Sequence, residues 1–372
     1  MNIGVDIRCL MSSVRTGVGE YTCQLLDAVF KIDKTNQYFL FYNSSKDVSQ
    51  YIPKWEQENV RYVATRWPNK LLNLLLFLKV LKLENLVIEN CLKIKNLKLK
   101  INIWFSPNLN FTSLSKKTKL ILTVHDLSFE FLPECFTLKQ RLWHWFLRPK
   151  KQCHRADLIL APSENTADDI VSEYSVDRTK VRVVGHGHKL QITNYKLQIK
   201  DKYILYLGTL EPRKNVGVLI EAYKKLTNFK TYKLTIAGDR GWKSDKIMRL
   251  IKNTAGVEYV GYVDAAKKAE LYQNASLFVF PSLYEGFGLP VLEAMSAGAP
   301  VITSNRSSLP EVGGDAVYYV NPNNVAGLSE AMKLVLTDER LRQAMIQKGL
   351  ERAGMFSWED SAKMLLSLFS CV

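Results

Sequence analysis

Residues Phe280 to Ser304 read F-P-S-L-Y-E-G-F-G-L-P-V-L-E-A-M-S-A-G-A-P-V-I-T-S. The apolar run Leu277 to Phe280 predicts a buried strand, Pro281 to Leu289 a loop, and Pro290 to Ala297 a short helix stopped by Gly298. A further strand, Val301 to Thr303, follows at once. Strand, loop, helix and strand repeat as the unit of a doubly wound parallel sheet, whose ligands sit at the carboxyl ends of the strands. The loop places the amides of Gly286, Phe287, Gly288 and Leu289 just before the helix, where those of the first three are expected to be free. Glycine lets a backbone approach a ligand, and unpaired amides beside a positive helix end suit the oxygens of a diphosphate or a sugar. Glu285 stays in the loop, whereas a helix beginning near Pro290 puts Glu293 in its first turn. The two carboxylates should therefore touch different parts of one ligand. The plainer alternative is an ordinary crossover with one solvated glutamate and one favouring the helix dipole.

About seventy residues upstream the same logic recurs. The strand Tyr203 to Leu207 runs into G-T-L-E-P-R-K-N, Gly208 to Asn215, and then a helix through Ala222 and Tyr223. Arg213 and Lys214 stand beside the start of that helix. A bidentate guanidinium and a point-charge ammonium there can both meet phosphate oxygens.

Together these stretches resemble the retaining nucleotide-sugar glycosyltransferases of family 4, which have the GT-B fold. The resemblance runs nearly end to end. It includes T-G-V-G-E-Y at Thr16 to Tyr21, V-H-D-L around His125, A-P-S-E-N-T at Ala161 to Thr166 and the G-T-L-E-P-R-K-N segment. The spaced glutamates Glu285 and Glu293 are its most specific part; S-S-L-P-E-V-G-G-D-A-V at Ser307 to Val317 and F-S-W-E at Phe356 to Glu359 complete it. The pattern is most similar to bacterial mannosyltransferase-like members that build surface polysaccharides. The resemblance implies that Arg213 and Lys214 neutralise the leaving diphosphate in place of a metal, and that Glu285 meets the hydroxyls of the donor sugar. It also implies that Glu293 holds the ribose and that His125 lies near the transferred sugar. Gly17 and Gly19, after the first strand, open a helix from Gly19 to Lys31. Their amides approach the donor diphosphate or the acceptor, or form a plain tight turn. Gly208 serves the donor loop in the same way. One departure is visible: V-V-G-H-G-H-K at Val183 to Lys189 stands where the family commonly has a turn with Pro, Asn and Asp. His186 and His188 have no carboxylate or cysteine beside them in the chain to complete a metal site.

Both halves of the chain alternate strands and helices. Ile3 to Ile7, Tyr38 to Tyr42, Ile101 to Phe105, Leu120 to Val124, Leu158 to Ala161 and Val181 to Val184 predict a first parallel sheet. Tyr203 to Leu207, Leu234 to Ala237, Val257 to Val260, Leu277 to Phe280, Val301 to Thr303 and Val317 to Val320 predict a second. The fold class expected is thus α/β, two doubly wound Rossmann-like domains facing a cleft. The first spans 1–188 on the acceptor side and the second 201–355 on the donor side, with 189–200 as linker and 356–372 packing back on the first. At 372 residues, 47% hydrophobic and 23% charged, the chain has the size and composition for two cores. Six cysteines without C-x-x-C spacing read as reduced thiols, and M-N-I-G-V-D-I-R reads as a first strand rather than a secretory signal. The expected location is cytoplasmic, or peripheral on the inner face of a membrane.

The net charge of +15 is unevenly spread. Between Arg66 and Lys119 eleven bases, among them Lys70, Lys79, Lys82, Lys93, Lys95 and Lys98, face only Glu84 and Glu89. A basic-aromatic helix follows with Lys139, Arg141, Trp143, Trp145, Arg148, Lys150 and Lys151. Cations among apolar anchors suit an anionic membrane surface; they are equally what a solvated face over a leucine core looks like. No nucleic-acid reader module is recognisable, so nucleic acid is not the expected partner. No strand leads into G-x-G-x-x-G with a suitable acid downstream, which disfavours a dinucleotide oxidoreductase. There is no D-x-D metal signature, and no cofactor is expected. The expected activity is metal-independent transfer of a hexose from a nucleoside diphosphate, with GDP-mannose favoured over UDP-sugars, to a glycan or lipid-linked acceptor. A GT-B epimerase or phosphorylase, and a basic nucleic-acid-binding protein, are the alternatives.

Overall fold

The computed structural model describes residues 1–92, 99–188, 202–226 and 231–372. The expected linker at 189–200 and the bases Lys93, Lys95 and Lys98 lie outside them. The chain divides into two compact units: Met1–Leu127 with Leu142–His186 and Trp358–Val372, and Ser128–Arg141 with Gly187–Ser357.

The first unit holds seven parallel strands: β1 (Asn2–Asp6), β2 (Gln37–Asn43), β3 (Val60–Thr65), β4 (Ile103–Ser106), β5 (Lys119–Thr123), β6 (Leu158–Ala161) and β7 (Val181–Val183). Their order is β3-β2-β1-β4-β5-β6-β7, with Gly4 opposite Phe39 on one side and Trp104 on the other. The sequence reading has six strands here. The seventh, β3, is an edge strand that leaves Arg61, Tyr62 and Ala64 exposed, so it lacks the continuous apolar run that marks its neighbours. The second unit holds β8 (Tyr203–Leu207), β9 (Lys233–Ala237), β10 (Val257–Gly261), β11 (Leu277–Phe280), β12 (Val301–Ser304) and β13 (Tyr318–Val320), in the order β10-β9-β8-β11-β12-β13. In each sheet the chain reverses direction of travel once, between β1 and β4 and between β8 and β11. These are the topological switch points at which doubly wound sheets bind ligands.

In the first core, Ile3, Val5, Leu40 and Phe105 of the sheet pack with Leu25, Val29 and Phe30 of the helix Gly17–Ile32. That helix begins two residues earlier than the sequence suggests, because Thr16 caps it: its Oγ1 accepts the Gly19 amide at 3.3 Å. Trp358, Ala362, Leu365 and Phe369 of the helix Trp358–Phe369 belong to the same core. The segment Ser128–Arg141 clusters with the second unit although it lies far upstream of it. Phe136 stacks on Trp242 at 5.5 Å, and the indole Nε1 of Trp242 donates to the Cys135 carbonyl at 2.7 Å. Phe131 meets Tyr284 at 5.8 Å.

Candidate active site

The loops after β8 and β11 leave the sheet of the second unit at its switch point. After β8 the chain turns at Gly208. The Gly208 amide donates to the Ala237 carbonyl at 3.0 Å, and a Cβ on Gly238, at the end of β9, would collide with the Gly208 carbonyl. Only glycine permits that approach. Pro212–Lys214 then makes one tight turn, and Asn215, at φ 59°, begins the helix Val216–Lys224. The Asn215 side-chain amide donates to the carbonyls of Pro281 and Pro322, at 3.1 and 2.8 Å, and so ties this loop to the one after β11.

The two loops meet in a buried ion-pair cluster. Lys214 Nζ lies 2.7 and 2.9 Å from the two oxygens of Glu285. The Arg213 guanidinium donates to the Tyr284 carbonyl at 2.7 Å and to Glu285 at 3.1 Å, and its Nη2 lies 2.8 Å from Glu211. The side chains of Arg213, Lys214 and Glu285 are 11%, 12% and 8% exposed, and that of Glu211 3%. Burial by itself raises the Glu285 carboxyl; Lys214 and then Arg213 outweigh it and hold the group below its ordinary value. The Glu285 amide donates to Ser307 Oγ at 2.8 Å, and Ser308 Oγ donates to the carbonyls of Glu285 and Phe287, at 2.9 and 2.7 Å. Two negative and two positive formal charges thus meet in one cluster, with Arg213 tied to the Tyr284 carbonyl and the Glu285 backbone held by Ser307 and Ser308.

Two expectations about the β11 loop change. Gly286 and Phe287 are not without partners, and the Phe287 ring packs edge-on against Phe356 at 5.7 Å in the core. Gly288, at φ 113°, caps the helix, and a Cβ there would come 2.8 Å from Leu309. The helix runs Leu289–Ser296, starting one residue earlier than expected, with no acid in its first turn, so Glu293 sits just past that turn rather than in it. Leu289 packs against the core. Glu293 is held by the Lys268 ammonium at 2.5 Å and by the Tyr272 hydroxyl at 3.1 Å. Its side chain is 15% exposed, at the rim compared with Glu285.

In the first unit the candidate residues gather by ring contact instead. His125, just after β5, places Nε2 2.8 Å from the Pro107 carbonyl. A carbonyl only accepts, so Nε2 carries the proton and Nδ1 is the acceptor. Burial lowers the His125 pKa, more than Pro107 and Asp126 raise it. Tyr21 lies against both His125 and His186, at 4.6 and 4.7 Å, and His186 stacks on Trp358 at 5.5 Å. Burial, with a smaller contribution from His125, pushes the His186 pKa well down. Of the glycines ahead of these residues, Gly19 spends its amide on the Thr16 cap, and a Cβ on Gly17 would meet nothing within 4 Å.

Sequence reasoning missed several members of these clusters. Glu211 and the pair Ser307 and Ser308 stand inside stretches quoted above, yet nothing in the chain marks them as partners of Arg213 and Glu285. Lys268 and Tyr272, one turn apart on the helix Ala265–Asn274, carry no signal at all. His188 clusters with the second unit, whereas His186 clusters with the first, and burial lowers the His188 pKa.

Two doubly wound parallel sheets in one chain, each with a single switch point, are the architecture of the GT-B fold. The chain belongs to the family 4 glycosyltransferases: the model described as "Glycosyltransferase Family 4" matches residues 36–191, and that of "Glycosyl transferases group 1" matches residues 189–352. It is 34% identical over 285 residues to O-antigen chain mannosyltransferase B of Escherichia coli, covering 72% of this chain and 74% of that one. It is 30% identical to the serotype-specific mannosyltransferase WbdA of Escherichia coli, over 68% of this chain but only 33% of that longer protein. Among solved structures it resembles sucrose-phosphate synthase from Thermosynechococcus elongatus, with a TM-score of 0.76 and 19% identity over 99% of this chain and 98% of that one. At that identity the likeness concerns the fold.

Proposed function

We propose that this glycosyltransferase moves a hexose from a nucleoside diphosphate sugar to a glycan or lipid-linked acceptor in the synthesis of a cell-surface polysaccharide. Mannose from GDP-mannose is the leading donor, ahead of UDP-sugars; the mannosyltransferase names of the relatives support the sugar. The observation that carries the reading is the Arg213–Glu285–Lys214 cluster at the β8/β11 switch point.

In the proposed reaction the bond from the anomeric carbon to the diphosphate oxygen breaks while the acceptor oxygen bonds to that carbon from the same face. The acceptor proton passes to the leaving diphosphate, and configuration is retained. Charge grows on the diphosphate as the bond breaks, where Arg213 and Lys214 stand ready in a low-dielectric pocket without reorganising. They supply there the positive charge for which a metal is otherwise used. Glu285 positions the cations, accepts from sugar hydroxyls, and keeps the cluster neutral until the diphosphate shares its partners. Glu293, at the rim, takes the ribose. Neutral His125 offers Nδ1 and its backbone to the transferred sugar.

Calorimetry with GDP-mannose, UDP-glucose and UDP-N-acetylglucosamine in the presence of a chelator tests the donor, and NMR of the product tests the linkage. Saturable binding of GDP-mannose and an α-linked product are expected. Binding confined to UDP-sugars would replace the donor, an inverted linkage would sink retention, and a requirement for added divalent cation would sink metal independence.

A further inference from the structure

We propose that the first unit docks on an anionic phospholipid bilayer through the helix Asn69–Phe77 with its following turn, together with the segment Leu142–Lys151. This is independent of the donor reading.

The helix Asn69–Phe77 anchors itself by Leu72 and Leu76, both 1% exposed. Its other face turns apolar side chains outward: Leu71, Leu74 and Leu78 are 41%, 52% and 58% exposed, and Val80, just beyond, 66%. Within Leu142–Lys151, Leu142, Trp143, Trp145 and Phe146 are 55%, 44%, 67% and 39% exposed. Single exposed apolar residues are ordinary, but eight in two short segments are not. The segments are joined: Phe77 meets Phe146 edge-on at 5.8 Å, and the Arg148 guanidinium lies 4.2 Å over the Phe77 ring.

The surrounding charge selects the occupant. Residues 66–82 and 142–151 contain seven cations, Arg66, Lys70, Lys79, Lys82, Arg148, Lys150 and Lys151, and no acid. None of the seven has an ion-pair partner among the described residues. A protein interface core is depleted of lysine, and a nucleic acid has no use for a row of exposed leucines. A lipid surface takes both, with tryptophan at the headgroup level, aliphatic chains below it and lysine or arginine at anionic headgroups. The helix is nine residues long and so lies in the plane of the surface; among the described residues no helix is long and apolar enough to cross a membrane.

The full chain is mixed with vesicles of phosphatidylcholine alone or of phosphatidylcholine with phosphatidylglycerol, and sedimented at low and high salt. Binding to the anionic vesicles only, weakened by salt, is expected, with a blue shift of tryptophan emission and quenching by brominated lipid. Lys150→Ala with Lys151→Ala should weaken partitioning on the order of tenfold or more, and Trp145→Ser should weaken it at any salt, with melting temperatures unchanged. Equal binding to both vesicles, or none to either, would overturn the proposal. So would salt-sensitive capture of an oligonucleotide in place of vesicles, or a dimer in sedimentation that Trp145→Ser dissociates. The emission shift needs no variant and fails on its own if the tryptophans never reach lipid.

Discussion

The strand ends of the two sheets carry opposite chemistry. In the second unit Glu211, Arg213, Lys214 and Glu285 pack as two buried carboxylates against two buried cations, with nitrogen to oxygen distances of 2.7 to 3.1 Å. In the first, Tyr21, His125, His186 and Trp358 touch ring to ring, and burial keeps both imidazoles neutral. The scaffold is the same, a parallel sheet with a single switch point. The difference teaches that such a sheet positions residues without dictating their polarity. Paired charges in a poorly solvated loop are preorganised for a ligand that brings charge of its own. A neutral ring cluster exerts no such pull on a charged ligand.

Removing one cation should expose that contrast most sharply. Lys214→Ala is expected to lower kcat/KM by about a hundredfold or more, measured by steady-state transfer, whereas Tyr21→Phe, which keeps the ring, should stay within a few-fold. Equal losses in the two variants would erase the distinction between a charge-handling end and a shape-giving one. The next effect concerns stability. Trp358 is 9% exposed and roofs the ring cluster, so Trp358→Ala should cost about 3 kcal/mol, read by urea denaturation. A near-neutral result would mean that the C-terminal helix is held by Leu365 and Phe369 alone.

The smallest effect is a difference in pH windows. His125 and His186 have folded pKa values below their ordinary 6.5, so the unfolded chain takes up protons first as pH falls. Their contribution is complete above pH 6.5 and declines below it. Glu285, lowered from 4.5, contributes above that value and loses its contribution only in stronger acid. Melting temperature should therefore begin to fall just below pH 6.5, and His186→Phe should make that first decline shallower while leaving the acid limb in place. An unchanged profile would show that His186 ionises as easily in the folded chain as in the unfolded one.

How far the chain could be read beforehand differs between the units for a physical reason. Arg213, Lys214 and Glu285 announce themselves, since each stands in a strand-loop-helix pattern only a few residues long. Ser307 and Ser308, which bond the Glu285 amide and the Glu285 and Phe287 carbonyls, escaped notice because a glycine-rich loop in the sequence gives no hint of the serines that reach back into it. Glu293 was misplaced by one residue, just enough to leave the first turn, since Leu289 rather than Pro290 starts the helix. β3 escaped notice because an edge strand buries only part of its length.

By itself the sequence determined the two doubly wound sheets, the loops that follow β8 and β11, and the three charged residues those loops carry. These follow from apolar periodicity, glycine and proline, which act over a few neighbouring residues. Only the tertiary structure decided that the β8 and β11 loops share a switch point, that Glu211 and Lys268 complete the charge pairs, and that Tyr21, His125, His186 and Trp358 form one cluster. Strand order brings those groups together from distant parts of the chain, and burial, which exists only after folding, decides which of them carry charge.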